Sequence, residues 1–129
     1  MGLLDGQPQQ AQAPPDYHCI VRHPGGSAIL LVPDQGRWSL PRVAPFNSAR
    51  EFLPDDVLQI GQAASQMLGA RLTVLRHLVD AGPIQLCELE TISGPVRPPS
   101  GAGWATVNDM GRVQLSGPRP VREGLVRWW

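Results

Sequence analysis

Acidic side chains are the first candidates for chemistry in this sequence. Glu88 and Glu90 lie two apart in Ile84 to Ile92, a stretch that reads as a strand. Both therefore point to one face, where they could pair for metal binding or acid–base work, or simply be solvated. Asp55 and Asp56 stand where a helical pattern begins, and N-terminal capping accounts for them on that ground alone. His18, His23 and His77 have no metal-ligand spacing among them, and Cys19 and Cys87 belong to no CxxC or Cys/His cluster. Neither a zinc site nor a disulfide framework is indicated, which suits a reducing cytoplasm.

The elements that must position these groups follow from pattern. Met1 to Asp16 is rich in Gln, Pro and Ala, with little to bury, so residues 1–16 are expected to be a disordered tail and 17–129 a single domain. Tyr17 to Arg22, Ala28 to Val32 and Arg37 to Leu40 read as strands, separated by turns at Pro24-Gly25-Gly26 and Pro33-Asp34-Gln35-Gly36. Arg42 to Asp56 lacks a steady period and reads as a loop with room for one helical turn. Val57, Ile60, Gly61, Ala64, Met67 and Leu68 line one face of a helix that starts at Asp55-Asp56 and stops at Gly69. Leu72 to Val79 and Ile84 to Ile92 read as strands about an Ala81-Gly82 turn. Gly94 to Gly103 is a loop, Trp104 to Val107 a closing strand, Asn108 a cap, and Pro120 to Trp129 a last helix. Strands, one strong helix, more strands and a terminal helix describe an α+β sandwich, with helices on both faces of a mixed sheet.

Composition narrows the partners. Eleven basic residues, all arginine, balance eleven acidic ones in the 129 residues. No net field draws the molecule to nucleic acid or an acidic lipid surface. The longest apolar run, Ala28 to Val32, is far too short to cross a bilayer, so no membrane association is expected. The absence of lysine suits a GC-rich bacterial genome.

In order along the chain stand Ile29-Leu30-Leu31-Val32, Gly36-Arg37-Trp38-Ser39-Leu40-Pro41, a helix ending at Leu68-Gly69, and Trp104-Ala105-Thr106-Val107-Asn108. This order resembles the Nudix hydrolase superfamily across nearly all of Tyr17 to Trp129, and it implies that family's α/β/α sandwich. The resemblance also implies a helix whose glutamates bind Mg²⁺ or Mn²⁺ for hydrolysis of nucleoside diphosphate derivatives. Aligning Gly69 with the last glycine of the Nudix box puts the helical glutamate positions on Ala63, Gln66 and Met67, the arginine on Gln62 and the earlier glutamate on Pro54. The glycine pair after the proline is replaced by Arg42 and Val43. A divalent cation wants several hard oxygen ligands, and the three helical glutamate positions offer one neutral amide.

The expectation is therefore a catalytically degenerate Nudix-like domain that binds a nucleotide-like ligand or a protein, with no catalytic residue, metal or cofactor. Arg37, Trp38, Arg42 and Arg50 would surround the family's ligand cleft, where guanidinium forks and an indole plane suit phosphates and a base. The alternative is an active hydrolase that recruits Asp55, Asp56, Glu88 or Glu90 to hold Mg²⁺ or Mn²⁺. A further alternative is an oligomerisation or scaffold role. Val121, Leu125, Trp128 and Trp129 form an apolar stripe, which would dock on the domain's own sheet or, left exposed, meet a second copy or an adjoining domain.

Overall fold

The computed structural model describes residues 16–43 and 54–128. Residues 1–15 of the expected tail, Arg50 and Trp129 lie outside the described residues, as does most of the expected Arg42 to Asp56 loop; Asp16, expected in the tail, instead begins the first strand and pairs with Ile84.

β1 (Asp16–Val21), β2 (Ile29–Asp34), β3 (Arg37–Ser39) and β4 (Arg42–Val43) precede the long helix α1 (Pro54–Leu68). β5 (Arg71–Ala81), β6 (Ile84–Ser93), β7 (Gly103–Ala105), the short α2 (Val107–Met110) and α3 (Arg119–Trp128) follow. One sheet has the order β4-β1-β6-β5 and a smaller one the order β3-β2-β7. β1 and β6 run parallel while the other pairs are antiparallel, so the larger sheet is mixed.

Alternation along β1 and β6 sends successive side chains to opposite faces, and each face meets one helix. Tyr17, Cys19, Val21, Cys87 and Leu89 form one core with Ile60, Ala64 and Leu68 of α1. Ile20 and Leu86 form the other with Val121 and Leu125 of α3, joined by Ile29 and Leu31 from the smaller sheet. The layers are helix, sheet and helix, as the pattern of elements predicts.

α1 stops where expected. Gly69 has φ +68°, a left-handed conformation open to glycine, and its N–H bonds to Ser65 O at 2.8 Å. At the other end Pro54 is the first helical residue, so Asp55 and Asp56 fall inside the first turn rather than ahead of it. Pro-at-first-position is thus the start signal that the sequence carries.

Three further expectations are corrected. Arg42 and Val43 pair with His18 and Tyr17, which makes the start of the expected loop an edge strand. Ala81 still pairs with Ile84, so the hairpin turns on Gly82-Pro83, with Gly82 at φ +66°. Thr106, not Asn108, caps α2. The Thr106 hydroxyl accepts from the Asp109 N–H while the Asp109 carboxylate accepts from the Thr106 N–H, the reciprocal pair of a capping box.

α3 sits unusually close to the sheet. A Cβ on Gly124 would stand 2.7 Å from Val79 Cγ2 and 2.8 Å from Leu86 Cδ2, so only a residue without a side chain permits this approach. Gly124→Ala is expected to destabilise the fold by about 1–3 kcal/mol through overpacking. Gly26→Ala, where a Cβ meets nothing within 4 Å, should stay near wild type. Urea unfolding of the two variants measures the difference.

Candidate functional site

Glu88 occupies the α3-side face of β6, where its side chain is fully buried. A bare carboxylate there would be strongly disfavoured, and three elements supply its partners. Arg76 of β5 donates through Nε at 2.8 Å and Nη2 at 2.6 Å to Oε1. Arg22, just past β1, donates from Nη1 to Oε2 at 3.1 Å, and Trp128 at the end of α3 donates as well. Burial pushes the Glu88 carboxyl up, but the hydrogen bonds from Arg76, Trp128 and Arg22 together outweigh it and hold the group below the usual carboxylate range.

Glu90, two residues on, is exposed at the rim. The pair that the sequence suggested is thus one locked carboxylate and one solvated one. Asp55 and Asp56 belong to α1, which packs on the opposite face of the sheet from Glu88. The sheet itself stands between Glu88 and the start of that helix.

The positions where the resemblance puts metal-binding glutamates are filled by other chemistry. Ala63 and Met67 are half-buried and packed against the α1-side core, and Gln66 is exposed beside the groove between α1 and β5. Those three positions offer one neutral amide, a donor set that does not suit Mg²⁺ or Mn²⁺. Among the described residues no group of three or more His, Cys, Asp or Glu could hold a metal ion.

The arginine and tryptophan candidates separate in the same way. Trp38 and Arg37 are neighbours in β3 and so face opposite ways: Trp38 turns inward against the α3-side core, and Arg37 is exposed. Trp38 is pinned by its backbone, which donates to Gln114 O and accepts from the Ser116 N–H. It borders a depression of about 250 Å³ with Leu31, Ala105, Asp109, Arg112 and Val113. The cation on that wall is Arg112; neither Arg37 nor the exposed Arg42 lines it. Trp128 is turned inward too, half-buried against the α3-side core and bonded to Glu88.

Sequence reasoning passed over Arg22, Arg76 and Gln85. Gln85 is buried on β6, where its amide donates to Asp80 Oδ1 at 2.6 Å and Gly82 O at 2.7 Å while its oxygen meets His77 Nε2. Arg76, directly opposite Glu88 across the β5–β6 hairpin, carried a signal only in the register. Cys19 and Cys87 meet in register on parallel strands, both buried, and burial pushes both thiols up.

No protein-family model and no curated protein matches the sequence, but solved structures match the fold. A UDP-X diphosphatase superposes with a TM-score of 0.62 at 17% identity, covering 96% of this chain and 66% of that one. The chain thus spans just under two thirds of the diphosphatase. An ADP-ribose pyrophosphatase from Streptococcus suis gives 0.55 at 16% identity, with 90% and 92% covered. The C-terminal domain of mouse MUTYH, seen in complex with human PCNA, gives 0.52 at 19% identity, with 88% and 85% covered. The fold is Nudix-like. Within that fold, this chain carries Ala63, Gln66 and Met67 where the resemblance puts glutamates.

Glu88→Gln is expected to lower stability at pH 7 by about 1–3 kcal/mol, since a charged acceptor of several hydrogen bonds becomes a neutral one. A carboxylate held below its unfolded pKa contributes fully above that value, roughly 4.3, and loses the contribution as pH falls through the folded pKa. The gap between wild type and variant should therefore be complete at pH 7 and close progressively below about pH 4, as urea unfolding across that range would record.

Proposed function

We propose that this domain is a catalytically degenerate Nudix-like module that binds a partner rather than turning over a diphosphate. One observation carries the reading: the helix face that would present glutamates to a metal instead packs Ala63 and Met67 into the core. Metal-assisted phosphoryl chemistry depends on polarising oxygens and activating water, and Ala63, Gln66 and Met67 offer no anionic oxygen with which to hold the ion. The hydrolase reading would need Asp55, Asp56, Glu88 and Glu90 to converge. Glu88 is committed to two arginines and a tryptophan on the other side of the sheet.

Beside Trp38 a protein partner suits the surface better than a free nucleotide does. The depression beside Trp38, about 250 Å³, falls below the roughly 300–1,000 Å³ of ordinary small-molecule sites. The MUTYH domain with the same fold, crystallised with PCNA, offers a precedent for a protein partner. A nucleotide-like ligand is the second reading, favoured by Trp38 and Arg112 on one wall. No helix among the described residues is long and apolar enough to cross a membrane.

Calorimetric titration with Mg²⁺ and Mn²⁺, alone and with UDP-sugars, ADP-ribose and nucleoside triphosphates, tests the proposal. No stoichiometric metal binding and no release of phosphate or nucleoside monophosphate above the buffer blank is expected. Metal binding accompanied by product would overturn it. Met67→Glu should restore neither and should cost about 1–3 kcal/mol of stability, because it places a carboxylate against the core.

A further inference from the structure

β6 outruns the strand that covers its edge. β1 pairs with it from Asp16↔Ile84 to Val21↔Leu89 and then leaves: Arg22 bridges to Ile29, and the His23 N–H bonds to Ala28 O as the chain turns into β2. β6 continues to Ser93 with β5 on its other side only. Among the described residues, no backbone hydrogen bond reaches the uncovered side of Glu90 to Ser93. A strand edge left open in this way presents N–H and C=O groups ready to pair with another chain.

A slot of about 220 Å³ opens at that place, lined by Arg22, His23, Pro24, Leu75, Glu90 and Thr91. Its size excludes a whole nucleotide and admits a side chain. Leu75 is an extra residue in β5 between Val74, paired with Leu89, and Arg76, paired with Glu88, and it offers an exposed apolar wall. Ile92 is likewise unmatched, since Arg71 faces Ser93 and Leu72 faces Thr91, which limits any added strand to a few residues.

Charge selects the occupant. Arg22 and Glu88 satisfy each other, and His23 is held by the Gly25 N–H on Nδ1 and by edge contact with Trp104. Glu90 is the lining charge left with no partner among the described residues. The geometry points to this slot as a docking site for a short extended peptide with a basic side chain. The peptide backbone adds to the open edge of β6 at Glu90–Ser93, and its cation meets Glu90. This deepens the binding-module reading and rests on it.

The test is an NMR titration of the full chain with the blocked pentapeptide Val-Thr-Lys-Val-Thr, with amide exchange followed across β6. In the free protein the outward amides between Glu90 and Ser93 should exchange fast, and saturating peptide should slow them by about tenfold or more. Backbone N-methylation of the peptide, or Glu in place of its Lys, should weaken binding about tenfold, and Glu90→Lys should reverse the preference between the Lys and Glu peptides. The docking site is overturned if those amides are already protected in the dilute free protein. It is equally overturned if they become protected by raising the protein concentration alone, which would make the occupant a second copy. Absence of binding at millimolar peptide, or undiminished binding of the N-methylated peptide, overturns it as well. A domain that neither hydrolyses diphosphates nor binds this peptide would leave the proposed function standing and remove the edge site. Hydrolysis with metal would remove the proposed function whatever the peptide does.

Discussion

A buried carboxylate needs partners wherever they can be found, and Glu88 draws its partners from β5, from the end of β1 and from α3. Each of these elements must arrive in register for the charge to be solvated by protein. Arg76 has to stand directly opposite in the hairpin, β1 has to run parallel to β6 as far as Val21, and α3 has to lie close enough for Trp128 to reach. The short separation that Gly124 allows helps to meet the last condition. Arg22 and Arg76 remain about half exposed, so the ion pairs are wet on one side and dry on the other. A cluster of this kind specifies an arrangement more than it adds net stability, because an arginine turned elsewhere would find water whereas a displaced Glu88 would find nothing.

The layered fold was legible because each helix and strand announces itself locally. Ile60, Ala64 and Leu68 repeat at helical spacing, Gly69 stops the helix, and the residue alternation of β1 and β6 assigns each face its core. The errors fell at boundaries, where one residue's side chain decides the outcome. Thr106 could be read as the end of a strand until its exchange of bonds with Asp109 was seen, and Arg42-Val43 gained strand structure only from β1 beside it. The site was far less legible. Spacing placed Glu88 and Glu90 on one face but carried no information about which would be covered, since that depends on where β1 ends and where α3 docks. Trp38 and Arg37 were both expected around one ligand cleft, yet neighbours in a strand face opposite ways.

On α1, Ala63 and Met67, where the resemblance puts glutamates, serve packing. Ala63 and Met67 extend the apolar stripe of Ile60, Ala64 and Leu68, so the helix binds its sheet over a broader arc than a face carrying carboxylates would. Gly61 contributes to the same contact, with room for a Cβ only 3.0 Å from Leu72 O of β5. A helix used for chemistry must keep part of its surface polar and accessible. Here Ala63 and Met67 lie against the core, while Gln62 and Gln66 stay at the groove.

The distance along the chain between Arg22 and Glu88, 66 residues, has a consequence for synthesis. As the polypeptide leaves the ribosome, β1 emerges long before its parallel neighbour exists, and the α3 segment that completes the second core follows last. Until then Ile20, Ile29 and Leu31 lack the cover of Val121 and Leu125, a state in which non-local pairing is slow and apolar edges invite other contacts. The nascent domain should therefore remain open until its last helix is free, and then close in one cooperative step. Chaperone dependence would concentrate in that interval.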